Sequence, residues 1–329
     1  MLRGRDARGL VLFAVLAAAC SGTPNPATPL PPDLDPAGPY RRGATAPQAL
    51  TEVAAAQVGG RIFLLGGLSA VGPTHRVEIL DPIANVWTAG PELPADAPTH
   101  HLAVAVFREQ IFVLGGYLDL SFTASPKTFR LDPVSSSWVR LRDQPMARGA
   151  ATAQTLRDRL YVVGGATPSQ ATSTLLSYDP QADTWRTDAA MPLASEHLAS
   201  CVDGARMLVV GGRASGNLRA AQRYDADQNR WTAVADLPTA RGGLAAATVG
   251  RRCFVVGGEA LDRPPPNTFG ENEAFDFDAG TWAAQPALPT PRHGLAVVGL
   301  GPSLYTLAGG PEAGLTLSNI VEIFTPSSL

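Results

Sequence analysis

The chain is poor in lysine, in cysteine and in long hydrophobic runs. Only Lys127 among its 26 basic residues is a lysine, and the formal net charge is −3. No basic run is interleaved with aromatic residues, which argues against nucleic acid as a partner. The apolar stretch from Leu10 to Ala19 is about half as long as a membrane-spanning helix requires.

Several catalytic signatures are also missing. The sequence contains no hydrolase-type nucleophile motif, no phosphate-cradling glycine loop and no zinc-ligand spacing. Its glycine pairs follow apolar runs but do not open a helix, as a nucleotide site requires. We therefore expect no cofactor.

Cysteine usage leaves one question open. Cys201 and Cys253 lie in predicted strands of two neighbouring units of the sequence repeat that is described below. Buried free thiols are the expected state there. A disulfide remains an alternative in an exported protein, because spacing alone cannot establish pairing.

The N-terminus has the features of an export signal. Three arginines precede the apolar stretch, which has the length of a secretory-signal core. The segment Leu16-Ala17-Ala18-Ala19-Cys20 resembles a bacterial lipobox, which implies a signal peptide over 1–19 and lipid, such as palmitate, on Cys20. The resemblance implies a cell-envelope protein, either an outer-membrane lipoprotein or a periplasmic or secreted one. An ordinary cleaved signal with an incidental cysteine is the alternative.

Residues 20–39 differ in composition from the rest. Ser21 to Pro39 contains seven prolines and few bulky apolar residues, so this segment cannot bury a core. We expect an extended tether here and a single domain over 40–329.

Six short apolar runs each end in a glycine pair. The second glycines lie 49, 49, 47, 46 and 52 residues apart. A period near fifty with this signature predicts a β-propeller. The pairs are Gly66-Gly67, Gly115-Gly116, Gly164-Gly165, Gly211-Gly212, Gly257-Gly258 and Gly309-Gly310.

Each unit repeats the same order of parts. Each unit begins with two predicted apolar strands, and the glycine pair ends the second of them. A polar loop, a third strand, an Asp-Pro or similar turn and a fourth strand follow in that order. The turns are predicted at Asp81-Pro82, Asp132-Pro133, Asp179-Pro180, Asp225-Ala226 and Asp278-Ala279. Each fourth strand carries a tryptophan, expected to pack between adjacent blades, with a proline seven residues later. The tryptophans are Trp87, Trp138, Trp185, Trp231 and Trp282.

Together these parts resemble the kelch repeat. Its aromatic position is filled by Tyr178, Tyr224 and Phe277, whereas Leu80 and Leu131 depart from it. The resemblance covers about residues 40–326 and implies an all-β, six-bladed propeller. The sixth unit ends without a tryptophan, and Tyr40 precedes Pro47 by the tryptophan-to-proline spacing. Residues 40–46 are therefore predicted to complete the last blade as its outer strand.

In kelch propellers, the loops after the glycine pairs and the entrances to the inner strands share one face. Polar residues that lie on this face, in addition to the candidate ligand-binding residues named below, include Glu52, Tyr117, Asp119, Arg213, Arg219, Asp262 and Glu271. The loop from Glu259 to Glu273 is the longest and is expected to cover part of the channel mouth. The candidate ligand-binding residues on this face are His100, His101, Arg148, Glu196, His197, Arg241, Glu259, Arg263, Arg292 and His293.

These candidates have competing interpretations. Arg148, Arg241, Arg292 and His293 follow the repeat proline, where kelch repeats often place framework groups that bond neighbouring blades. A metal would require convergence of His100 or His101 with His197 and His293 across a narrow channel, and no local ligand spacing supports it. We expect no metal.

The resemblance leaves function open. Galactose oxidase is a kelch relative, but no cysteine lies in a face loop here to support its tyrosine–cysteine copper site. The leading hypothesis is an envelope-tethered binding module that recognises a protein or glycan through its loop face. The alternatives are a carbohydrate-active enzyme of the sialic-acid mutarotase or epimerase type, using acid–base chemistry in an arginine- and glutamate-lined channel, and a structural envelope protein.

Overall fold

Six four-stranded antiparallel sheets are arranged in a ring around a central axis. The computed structural model describes residues 34–35, 37–261 and 266–327. Each inner strand contacts the inner strands of the two neighbouring sheets, so the circle is complete. The predicted six-bladed, all-β propeller is confirmed. In the described part of the chain, no helix is long and apolar enough to cross a membrane.

The blades are numbered in chain order, and their strands run from the innermost to the outermost. They are Ala54–Val58, Arg61–Leu65, Val77–Asp81 and Val86–Ala89 in blade 1; Val104–Phe107, Gln110–Tyr117, Ala124–Asp132 and Ser137–Leu141 in blade 2; Thr152–Leu156, Arg159–Val163, Leu175–Asp179 and Thr184–Thr187 in blade 3; Ala199–Asp203, Arg206–Val210, Ala221–Asp225 and Arg230–Ala233 in blade 4; Ala245–Val249, Arg252–Val256, Asn272–Asp276 and Thr281–Gln285 in blade 5; and Ala296–Leu300, Ser303–Leu307, Val321–Phe324 and Tyr40–Arg42 in blade 6. Two short hairpins, Leu68–Ser69 with Gly72–Pro73 and Glu259–Ala260 with Asn267–Thr268, project from loops.

The hydrophobic core consists of six apolar layers, one between each pair of adjacent blades. The second strand of each blade contributes to the layers on both of its sides. In blade 1, Ile62 and Leu64 face blade 6, whereas Phe63 and Leu65 face blade 2. Burial on both faces explains why these strands are continuous apolar runs rather than alternating ones.

The repeated tryptophans bridge neighbouring blades, as predicted. Each indole packs against an interblade layer, and its Nε1–H donates to a backbone carbonyl of the segment leaving the preceding blade. Trp231 donates to Ala189 O at 2.7 Å and Trp87 donates to Ala44 O at 2.8 Å. A half-buried aromatic ring with one satisfied polar atom suits this position.

Tyr40 takes the place of the missing sixth tryptophan. It pairs with Phe324 in the strand register, and its hydroxyl donates to Pro286 O at 2.9 Å. The predicted outer strand is confirmed, although pairing is confined to Tyr40–Arg42. Joining the two ends of the domain in one sheet removes an exposed seam.

The glycine pairs lie where neighbouring blades approach most closely. In blade 3, a Cβ on Gly164 would be only 2.7 Å from Ser195 O, and Gly164 has a φ of +66°. The second glycine donates its N–H to the entrance of the next blade, as Gly165 N does to Ser195 O at 2.9 Å. Glycine meets both requirements because it has no side chain.

Two repeat positions differ from the sequence alignment. In blade 6, Gly309 rather than Gly310 makes the bond that Gly165 makes in blade 3. The two residues equivalent to a glycine pair are therefore Ala308 and Gly309, one residue earlier than the predicted pair Gly309-Gly310. In blade 5 the turn carboxylate is Asp276, which accepts from two backbone N–H groups, and Phe275 pairs with the tryptophan. The predictions of Asp278 as the turn residue and Phe277 as the aromatic residue of the repeat are therefore wrong. The sequence repeats Phe-Asp at 275–276 and 277–278, and the strand pairing shows that the first of the two occupies the repeat positions.

The expectation of free thiols is also wrong. Cys201 in blade 4 and Cys253 in blade 5 form a disulfide across an interblade layer, 52 residues apart in sequence. Such a cross-link limits the freedom of the unfolded chain and typically contributes about 2–4 kcal/mol to stability.

We predict that Tyr40→Ala destabilises the domain by about 3 kcal/mol, because it removes a buried aromatic ring from the joint between the chain ends. Deleting residues 40–46 is expected to have a larger effect, since it removes the whole outer strand. The measurement is the melting temperature by calorimetry, with Arg41→Ala at the exposed neighbouring position as control. Melting of the deletion variant at the wild-type temperature would contradict closure by this strand.

Candidate functional site

A central channel of about 440 Å³ runs between the six inner strands. Its wall is built mainly from small side chains, including the three consecutive alanines Ala54-Ala55-Ala56 and Ala245-Ala246-Ala247. Small residues are required where six strands converge on one axis. Glu52 lines the channel, and no arginine does so among the described residues.

One residue per blade forms a ring at the mouth of the channel on the loop face. Each of the six residues has a positive φ, between 51° and 65°. Their backbones are linked in a circle. In blades 2 to 6 the N–H of the ring residue donates to the carbonyl of the preceding ring residue at 2.9–3.1 Å, and Val53 N closes the circle on Gly294 O at 3.3 Å. The ring residues are Glu52, His101, Ala150, His197, Gly243 and Gly294.

The ring brings three polar side chains together at the channel mouth. His101 Nε2 lies 3.1 Å from Glu52 Oε2, and the His101 and His197 rings are nearly perpendicular with centroids 4.9 Å apart. The other carboxylate oxygen, Glu52 Oε1, lies 3.5 Å from His293 Nδ1. Burial lowers the pKa of His101 well below its ordinary value.

A second layer of charged groups surrounds this cluster. His197 Nδ1 bonds to Glu196 Oε2, and Arg213 links the two neighbouring carboxylates. Its Nε lies 3.6 Å from Glu196 Oε1, and its second amino group donates to Glu259 Oε1 at 3.1 Å. Burial lowers the pKa of His293, but Glu259 and Glu52 more than offset this and hold it above its ordinary value.

His100 forms the side of the cluster in blade 2. Its Nε2 lies 3.0 Å from Asp119 O and its Nδ1 lies 2.7 Å from His101 Nδ1. Phe122 packs edge-on against both histidines, and Tyr117 packs edge-on against His101 and tilted against His100. Burial lowers the pKa of His100, which favours its neutral form.

The three candidate arginines occupy different surroundings. Arg148, Arg241 and Arg292 are fully buried inside their own blades. Arg241 donates to Gly257 O at 2.7 Å and to Val255 O at 3.0 Å and pairs with Glu273. These contacts stay within one blade, so the expectation of bonds to neighbouring blades is wrong for the side chains. Burial lowers the pKa of Arg292 to about 10, so its guanidinium is still charged at neutral pH.

The structure therefore sorts the sequence candidates into groups. His100, His101, Glu196, His197, Glu259 and His293 form one connected buried cluster at the channel mouth. Arg148, Arg241 and Arg292 stabilise blade interiors, while Arg263 and Cys20 lie outside the described residues. Glu52 and Arg213, which the sequence placed on the same face but not among the candidate ligand-binding residues, also belong to the cluster. The position of Glu52 one repeat before His101 was the available signal.

The cluster contains a set of groups able to hold a metal ion. One ligand atom each from Glu52, His101 and His197 lies within 4.8 Å of the other two. From the sequence, the histidines were expected to converge only if the channel is narrow. The ring of backbone hydrogen bonds makes the channel narrow at its mouth.

Comparisons with known proteins agree with this architecture. The KLHDC2/KLHL20/DRC7 Kelch-repeats domain matches residues 94–258 and 151–327, and the Kelch motif matches residues 49–94. Kelch-like protein terF of Aspergillus terreus is 31% identical over 345 aligned residues, covering 97% of this chain and 72% of terF. Mouse Kelch-like protein 35 is 30% identical over 154 residues, and there the match spans only 25% of the relative. The solved structure of YjhT superimposes with a TM-score of 0.75 at 17% identity, over 86% of this chain and 97% of YjhT.

We predict that Arg241→Gln lowers stability by about 3–5 kcal/mol, because it leaves the buried Glu273 carboxylate without a cation. Replacing Glu273 with Gln in the same chain should recover part of this loss, since no uncompensated charge then remains. The measurement is chemical unfolding of both variants, with the exposed Arg230→Gln as control. An Arg241→Gln variant as stable as the wild type would contradict a structural role.

Proposed function

The chain belongs to the kelch-repeat family of β-propellers, and from this premise we propose that it is a lipid-anchored binding module of the bacterial cell envelope that recognises a protein partner through its loop face. The kelch propeller fold suggests a protein-binding module, and kelch propellers generally mediate protein interactions. The observation that carries the choice of face is the difference between the two faces of the ring.

The loop face varies from blade to blade. Its loops between second and third strands differ in length, and two of them end in short hairpins. Val71 in blade 1 is 94% exposed, and Leu120 in the next blade is 52% exposed. Apolar side chains at the tips of irregular loops on a rigid scaffold suit recognition of one particular partner.

The opposite face is more uniform. Its outer turns in blades 1 to 5 are tied by an aspartate that accepts backbone N–H groups, as Asp81 and Asp179 do. Ion pairs between blades, such as Arg157 with Asp227 at 2.6 Å, connect these turns. Such a face changes little around the ring, although it also exposes Ile83 and Val134.

Export and anchoring belong to the same proposal. The Cys201–Cys253 disulfide supports an oxidising compartment, since such bonds persist in the periplasm and outside the cell. The proposed signal over 1–19, the lipid on Cys20 and the tether over 20–39 would hold the propeller near a membrane by lipid alone. The described propeller begins with the strand at Tyr40, where the proposed tether ends.

We predict that Val71→Asp combined with Leu120→Asp weakens partner capture about tenfold or more, because each buried side chain of this kind contributes roughly 1.5–3 kcal/mol. Capture is measured by cross-linking in intact cells, followed by mass spectrometry. The matched control is Ile83→Asp with Val134→Asp on the opposite face. Loss of capture in the control alone would contradict the choice of face, and capture abolished by removing glycans would identify a glycan instead of a protein.

We predict that Cys20→Ser moves the protein from the membrane fraction to the soluble fraction, because it removes the lipid-bearing thiol. Incorporation of labelled palmitate should be lost together with membrane association. Ser21→Ala serves as the control at the adjacent position. Unchanged membrane association of Cys20→Ser would contradict anchoring by lipid.

A further inference from the structure

The strongest unexplained feature of the structure is the buried cluster at the channel mouth. Glu52, His101 and His197 come from three different blades, and each side chain is at least 90% buried. Two imidazoles and a carboxylate are the ligands that bind Zn²⁺ and related ions in proteins. Protein binding through loop tips makes no use of this cluster.

We propose that Glu52, His101 and His197 bind one divalent transition-metal ion of the Zn²⁺ class. Zinc–ligand distances of about 2.0–2.1 Å place tetrahedral ligand atoms about 3.4 Å apart. The His101–Glu52 separation of 3.1 Å already fits, and every other pair lies within 4.8 Å. With three protein ligands, one tetrahedral coordination position remains for water.

Hydrogen bonding orients His101 for this role. A carbonyl oxygen only accepts, so His100 Nε2 must donate to Asp119 O. His100 Nδ1 and His101 Nδ1 lie 2.7 Å apart, so one of them donates to the other, and His100 accepts in the tautomer that places the proton on His101 Nδ1. In that tautomer the lone pair of His101 Nε2 faces Glu52 Oε2 at 3.1 Å, a separation that a metal ion bound to both atoms would span.

His197 is oriented in the way typical of a metal ligand. Its Nδ1 bonds to Glu196, which fixes the ring and leaves Nε2 as the ligand atom. Arg213 in turn holds Glu196. Carboxylate–histidine–metal arrangements of this kind raise ligand basicity, and their loss typically weakens metal affinity 10–100-fold.

The surrounding groups are short of positive charge. The cluster contains three buried carboxylates, Glu52, Glu196 and Glu259, against one guanidinium, that of Arg213. His293 is 1% exposed, and neither ring nitrogen makes a hydrogen bond in the described structure. It lies beside the site and can act as a fourth ligand or bond to metal-bound water.

The test uses the full chain, purified without a polyhistidine tag, stripped with a chelator and titrated with ZnCl₂ by calorimetry. One equivalent is expected to bind, with a matching rise in melting temperature. His197→Ala and the isosteric Glu52→Gln should each abolish this uptake. Glu196→Gln, which keeps all three ligands, should weaken it about 10–100-fold. His75→Ala removes the one histidine outside the cluster and should bind like the wild type.

The outcomes are distinguishable. The melting temperature of each variant in the metal-free state shows whether that variant folds. If His197→Ala does not fold, the weakened Zn²⁺ binding of Glu196→Gln still tests the site. Visible absorption of the Co²⁺-loaded protein reports nitrogen and oxygen ligation. A wild-type chain that takes up no Zn²⁺ would show that a proton suffices between His101 and Glu52 and would overturn the proposal. Equal uptake by all variants would overturn it as well.

Discussion

The circle of backbone hydrogen bonds at the channel mouth is the constraint on which the rest of this structure depends. Each of its six residues needs a positive φ, and each donates to or accepts from a neighbouring blade. A positive φ costs about 1–2 kcal/mol for a residue other than glycine. Gly243 and Gly294 avoid this cost, whereas Glu52, His101 and His197 do not. The circle fixes blade spacing and gathers the side chains of Glu52, His101 and His197 at the channel mouth.

This gathering explains why a polar cluster exists inside an otherwise apolar scaffold. The interblade layers are filled by aliphatic and aromatic side chains, and the channel wall by alanines. At the ring level the side chains are polar instead, and several of them pair with one another. Buried charges persist only where they are paired and hydrogen-bonded, as Arg213 is with Glu259.

The scaffold and the proposed recognition surface are separable for the same reason. The interblade layers, the tryptophan bridges and the Cys201–Cys253 disulfide all act between blades, below the loop tips. Substitutions such as those at Val71 and Leu120 therefore change the surface without touching the packing. A rigid ring with adaptable loops is a platform on which fold alone does not specify a ligand.

The sequence by itself determined the propeller, the number of blades and the closing strand at Tyr40, because glycine pairs, tryptophans and prolines recur with a fixed period and each has a strong local reason for its place. It also placed His100, His101, Glu196 and His197 among the candidate residues of the loop face. Only the tertiary structure decided the register of the sixth glycine pair, the turn at Asp276, the cysteine pairing and the separation of Arg241 from the polar cluster. These depend on contacts between residues about fifty positions apart and on the direction of each side chain, which a repeat period does not encode.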